Sequence, residues 1–114
     1  MKLSDYQAIF ASNVALLIQH IEDMGYKCTL GEAWRTKEMA EIYAKKGIGI
    51  KDSLHIKRLA IDINLFKDGK YIEDGEAYRQ FGEWWESLHP FNRWGGRFKS
   101  FDAVHFEMRE AIQI

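Results

Sequence analysis

His55-Ile56-Lys57-Arg58-Leu59-Ala60-Ile61-Asp62-Ile63-Asn64-Leu65-Phe66 is the stretch from which the rest of the chain is best read. Its second half alternates. Ile61, Ile63 and Leu65 point one way while Ala60, Asp62 and Asn64 point the other, as in a strand with one face in the core. Lys67-Asp68-Gly69-Lys70 then supplies an Asp-Gly hairpin turn into Tyr71-Ile72. A second strand is expected over Ala103–Met108, with Val104, Phe106 and Met108 towards a core and His105 and Glu107 facing away.

Helices surround these strands. Tyr6, Phe10, Val14, Leu17, Ile21 and Met24 recur at three- and four-residue steps between a Ser4/Gln7 capping box and a stop at Gly25. A short strand fits Tyr26–Thr29, and Thr36 is an N-cap for a helix from about Lys37 to Lys46, ended by Gly47 and Gly49. A third helix fits Glu76–Leu88, with Tyr78, Phe81, Trp85 and Leu88 on one stripe and Pro90 beyond its end. The expected fold class is α+β: a small antiparallel sheet packed with about three helices.

The chain of 114 residues is 46% hydrophobic, with four Trp, five Tyr and seven Phe, which is ample for one core. There is no repeat or linker that would divide it, so a single domain over residues 1–114 is expected. Lys plus Arg number 16 against 17 Asp plus Glu, leaving no basic excess for a phosphate backbone, so no nucleic-acid partner is expected. No window approaches the roughly 20 apolar residues of a membrane span, and Met1-Lys2-Leu3-Ser4-Asp5 has no apolar signal region. Synthesis in the cytoplasm without membrane insertion, as a monomer, is the expectation. Cys28 stands alone, which rules out an internal disulfide and a cysteine zinc knuckle.

Two strands thus each carry a metal-competent side chain opposite their apolar row, Asp62 and His105, with His55 just upstream of the first. If the strands are neighbours, two imidazoles and one carboxylate converge on a cleft and leave a fourth position for water, the pattern of a catalytic zinc site. The plain reading of each stays open at this point: a surface or hydrogen-bonded histidine, and an aspartate that caps a turn. Two histidines and one carboxylate also form the facial triad of non-haem iron oxygenases, although there the first two ligands usually stand closer together.

Ser53-Leu54-His55-Ile56-Lys57-Arg58-Leu59-Ala60-Ile61-Asp62 resembles the Ser-x-His-x-x-Gly-x-Ala-x-Asp signature of zinc D-Ala-D-Ala carboxypeptidases and phage L-alanyl-D-glutamate endopeptidases, the Hedgehog/D,D-peptidase fold. Asp102-Ala103-Val104-His105-Phe106-Glu107 resembles their second motif, with an acidic residue three positions before the last zinc histidine. Trp34-Arg35-Thr36 resembles the family's Arg-Thr or Arg-Ser step. The resemblance implies that His55, Asp62 and His105 hold Zn2+, that Asp102 is the catalytic general base, and that Arg35 holds substrate or the developing oxyanion. Ser53, Arg58 and Trp94 are the further substrate-binding candidates, and Glu107 and His89 are candidates for fixing a ligand imidazole. Arg58 stands where the family has Gly, so either the loop follows another path or Arg58 reaches into the cleft.

The resemblance further implies a zinc metallopeptidase whose partners are peptidoglycan stem peptides, cut next to a D-amino acid. An L-alanyl-D-glutamate endopeptidase of endolysin type is the first expectation, acting on the cell wall, in the periplasm, after release. A D,D-carboxypeptidase is the second, and a non-catalytic murein-binding or virion module of the same fold the third.

Overall fold

Asp68 and Gly69 both adopt positive φ, 53° and 78°, and close a two-residue hairpin between β2 (Ala60–Lys67) and β3 (Lys70–Tyr71). This is the turn expected from the Asp-Gly pair. The computed structural model describes residues 1–50 and 53–110. Before β2 come α1 (Leu3–Asp23), β1 (Lys27–Leu30), α2 (Lys37–Lys45) and a 3-10 turn (Leu54–Lys57). After β3 come a 3-10 turn (Gly75–Tyr78), α3 (Arg79–Leu88), β4 (Asn92–Trp94), a further 3-10 turn (Gly95–Arg97) and β5 (His105–Met108).

The strands form one antiparallel sheet in the order β1-β2-β5-β4, with β3 paired to the end of β2. With α1 and α3 packed on it and three α-helices among the described residues, this is the expected α+β arrangement. Ile61, Ile63 and Leu65 are buried on one face of β2, against Phe10, Leu17 and Ile21 of α1 and Phe81 and Trp85 of α3. Phe10 meets the Trp85 ring edge-on at 5.6 Å, and the Trp85 indole N–H donates to the Glu107 carbonyl at 3.0 Å, tying α3 to β5. The core therefore sits on one side of the β2–β5 pair. Its other side is left for polar groups. No helix among the described residues is long and apolar enough to cross a membrane.

Several local expectations shift. α1 begins at Leu3, and its first turn is closed by the Lys2 N–H donating to the Asp5 carboxylate at 2.8 Å, in place of a Ser4/Gln7 box. The Gln7 amide instead donates to the Lys57 carbonyl at 2.8 Å, a contact between residues far apart in sequence. α2 stops at Lys45, one residue early, with Thr36 Oγ1 accepting from the Met39 N–H at 3.0 Å as its cap. The third helix starts as a 3-10 turn and becomes α-helical at Arg79. β4 was not anticipated: three residues between Pro90 and Gly95 show no alternation long enough to recognise.

Candidate metal centre and cleft

The 3-10 turn at Leu54–Lys57 presents the first imidazole. Ser53 Oγ accepts the His55 N–H at 3.2 Å and caps the turn, while the Arg35 N–H donates to the His55 carbonyl at 3.2 Å. Arg58 then adopts φ 57° and ψ 36°, the left-handed conformation that glycine takes without strain, and its N–H returns to the His55 carbonyl at 3.3 Å. The chain thereby reverses into β2. Two residues past Ala60 stands Asp62, directly opposite His105 in the β2–β5 register.

Three ligand-type atoms face one point. Asp62 Oδ1 lies 3.4 Å from His55 Nε2 and 3.6 Å from His105 Nδ1, and all three atoms lie within 4.8 Å of one another. Both pairs are too long for good hydrogen bonds. They match the separation of two ligands on a tetrahedral zinc, about 3.4 Å for bonds of about 2.0–2.1 Å. Asp62 Oδ1 is buried with no hydrogen-bond partner, an orphaned lone pair that a cation would satisfy. A zinc ion fits this donor set.

The electrostatics agree with the geometry. Burial pushes the Asp62 carboxyl up, but the imidazoles of His105 and His55 outweigh it and hold the group at about 2. Burial pushes His105 down, and Asp62, Glu107 and Asp102 overcome this and raise it to about 9. Asp102, half-exposed with Oδ2 4.0 Å from His105 Nδ1, is raised above the usual carboxylate range, first by burial.

Asp102 is placed by backbone. Its N–H donates to the Gly95 carbonyl at 3.0 Å, and its own carbonyl accepts the His105 N–H at 3.2 Å. A Cβ at Gly95 would collide with the Asp102 carbonyl oxygen and stand 2.8 Å from His105 Cβ, so this close approach requires glycine. The centre opens into a cleft of about 980 Å³ lined by Arg35, Ser53, Lys57, Asp102, Arg109 and the apolar Ile48, Ile50, Phe98 and Phe101.

A family profile described as D-alanyl-D-alanine carboxypeptidase matches residues 46–108, more than half of the chain and all three ligand-type residues. The chain belongs to this peptidase family. Among solved structures, the Serratia marcescens L-Ala D-Glu endopeptidase ChiX is similar in fold, with a TM-score of 0.63, 19% identity, and coverage of 73% of this chain and 67% of that one. No curated protein sequence matches.

Not every residue singled out from the sequence reaches the cleft of this family member. Trp94 is fully buried in the core, its ring filling the space beside Gly82 and Gly96, where any Cβ would overlap it, and its indole N–H donates to the Ala103 carbonyl at 2.8 Å. It is no cleft wall. Arg58 keeps the glycine-like path and lays its guanidinium over the Trp34 ring, 4.6 Å from the centroid, outside the cleft lining. His89 is spent locally, its Nδ1 accepting the Phe91 N–H at 3.1 Å.

Two groups escaped the sequence reading. Glu32 Oε1 accepts from Arg35 Nε at 2.7 Å and lies 3.6 Å from His55 Nδ1, so one carboxylate stands behind both the cleft arginine and the first imidazole. An acid three residues before the arginine was the available signal. Arg109 reaches Glu107, whose other oxygen meets His105. No spacing rule announces that chain.

Proposed function

We propose that residues 1–114 form a single zinc peptidase catalytic domain that hydrolyses an amide bond of the peptidoglycan stem peptide next to a D-amino acid. The L-alanyl-D-glutamate bond is the proposed target. The observation that carries this reading is the convergence of His55, Asp62 and His105 on one point of a cleft that also holds Asp102 and Arg35, in a chain of a peptidase family. The endopeptidase named among its structural relatives supports the bond choice. The description of the family supports a second reading, a D,D-carboxypeptidase working through the same residues. Either enzyme acts on the cell wall as a monomer, the endopeptidase being of endolysin type.

His55, Asp62 and His105 would hold the zinc. When bound, zinc supplies Lewis acidity, polarising a carbonyl and lowering the pKa of water towards about 7. Asp102 sits beside this point with a half-exposed carboxylate of raised pKa, suited to take a proton from attacking water and return it to the leaving amine. Arg35 lines the cleft with its guanidinium clamped by Glu32, which leaves N–H donors for a substrate carboxylate or the developing oxyanion. Ser53, capping the His55 turn at the cleft wall, orients that turn and offers its hydroxyl edge to substrate. Ile48, Ile50 and Phe101 would take the apolar side of the peptide.

The test is mass spectrometry of purified peptidoglycan digested by the zinc-loaded protein, with Asp102→Asn as control. New L-alanine carboxyl ends support the endopeptidase. Released D-alanine moves the protein to the carboxypeptidase reading, and absence of Asp102-dependent products overturns both.

A further inference from the structure

Glu107 is a buried carboxylate that the proposed hydrolysis does not use. It follows His105 by two residues on β5, so both side chains leave the same face of the strand. Its two oxygens have separate partners: Oε1 lies 2.7 Å from His105 Nε2, and Oε2 accepts from Arg109 Nε at 2.9 Å. We propose that Glu107, anchored by Arg109, is a positioning residue that locks the His105 ring with a proton on Nε2 and the lone pair of Nδ1 turned to the candidate metal centre.

An ionised carboxylate only accepts, so the ring nitrogen it meets must carry hydrogen. As a metal ligand the ring is neutral and has one such hydrogen, which leaves the lone pair of Nδ1, the atom 3.6 Å from Asp62 Oδ1, for the metal. Arg109 makes the arrangement tenable. A buried carboxylate without a counter-charge is costly, and a guanidinium on the second oxygen both neutralises it and fixes the plane of the carboxylate. The other imidazole lacks this device. His55 Nδ1 is 3.6 Å from Glu32 Oε1, beyond hydrogen-bond range, and that oxygen is already engaged by Arg35. His55 is therefore placed chiefly by its capped turn and His105 by a side-chain chain of two links.

The inference rests on the reading of His105 as a metal ligand, and its test separates the two. Wild type, Glu107→Ala, Glu107→Gln and Arg109→Gln are compared by zinc affinity in competition with a chromophoric chelator, and by the imidazole N–H proton of His105 in the metal-free, 15N-histidine-labelled protein. A carboxylate-held Nε2–H is expected as a downfield, slowly exchanging resonance. Glu107→Ala should abolish it and weaken zinc binding about 10–100-fold, the usual cost of losing an outer partner of a metal histidine. Glu107→Gln, whose amide oxygen still accepts, should keep the resonance at a shifted position and recover part of the affinity, and Arg109→Gln should weaken zinc binding by less than Glu107→Ala. A zinc affinity in Glu107→Ala equal to wild type overturns the proposal; should that variant fail to fold, an unshifted His105 resonance in Glu107→Gln overturns it. A wild-type protein that binds no zinc yet shows a Glu107-dependent Nε2–H resonance overturns the metal reading and leaves the lock in place.

Discussion

Asp62 and His105 are Cα partners across the antiparallel β2–β5 pair, and Asp62 Oδ1 meets His105 Nδ1 at 3.6 Å on the face opposite the core. Strand register is thus the device that builds the candidate centre. A slip of one residue would carry Asp62 into the apolar face and Ile61 or Ile63 out of it, so the same burial that forms the core protects the pairing of carboxylate and imidazole.

Replacing His105 with alanine should weaken zinc binding by more than the about 10–100-fold expected of an outer partner. In wild type, free zinc at about 100 times its Kd should stabilise the fold by about 2.7 kcal/mol, reversed by a chelator. Thermal melts with and without zinc check both: His105→Ala should show almost no zinc-dependent rise in Tm. An undiminished rise would show that His105 is not a ligand.

Asp102→Asn should leave zinc affinity and Tm near wild type while lowering hydrolysis by about 10²–10⁴-fold, the range of a general base. The side chain is half-exposed and its backbone contacts with Gly95 and His105 survive the change. Steady-state hydrolysis of peptidoglycan fragments beside a zinc titration measures the two effects separately, and activity equal to wild type removes Asp102 from the mechanism.

Arg58 holds a left-handed backbone conformation while its guanidinium covers Trp34. Glycine would relieve about 1 kcal/mol of strain and forfeit about 0.5–1 kcal/mol of cation–π attraction, so Arg58→Gly should come out near neutral. Arg58→Ala keeps the strain and loses the contact. Chemical denaturation should place alanine about 1 kcal/mol below glycine, and the reverse order would contradict the conformation of this turn.

Tyr78 is buried with its hydroxyl accepting the Leu65 N–H at 3.0 Å, and burial above all raises its pKa from 10.0 to about 12. A folded-state value above the unfolded one stabilises fully below pH 10 and is lost as pH climbs through 12. Tyr78→Phe should cost about 1–3 kcal/mol at neutral pH by leaving the Leu65 N–H unpaired, and should flatten the loss of stability above pH 10. Denaturation curves at neutral pH and at alkaline pH test both parts.

Much of the candidate site was legible before any coordinates. Asp62 and His105 could be assigned to the face opposite the apolar rows because strand side chains alternate strictly, and His55, Asp102 and Arg35 stand in the lining of one cleft. Trp94 and Arg58 were misplaced for one reason: the distant residue that each packs on cannot be read from its neighbours in sequence. Trp94 is covered by Gly82, twelve residues away on α3, and Arg58 by Trp34, on the far side of α2.

Periodicity, caps and turn chemistry act over one to four residues, and at that range the chain specifies its helices, the Asp-Gly hairpin and the side of each strand that carries metal-competent groups. The pairing of β2 with β5, which sets Asp62 opposite His105, the Gln7 amide on the Lys57 carbonyl and the Trp85 indole on the Glu107 carbonyl depend on register and packing between distant segments. Those choices arise when the aromatic core closes on one face of the sheet. Only then do the buried polar groups on the other face have to find partners, because each left unpaired away from water costs as much as a lost hydrogen bond.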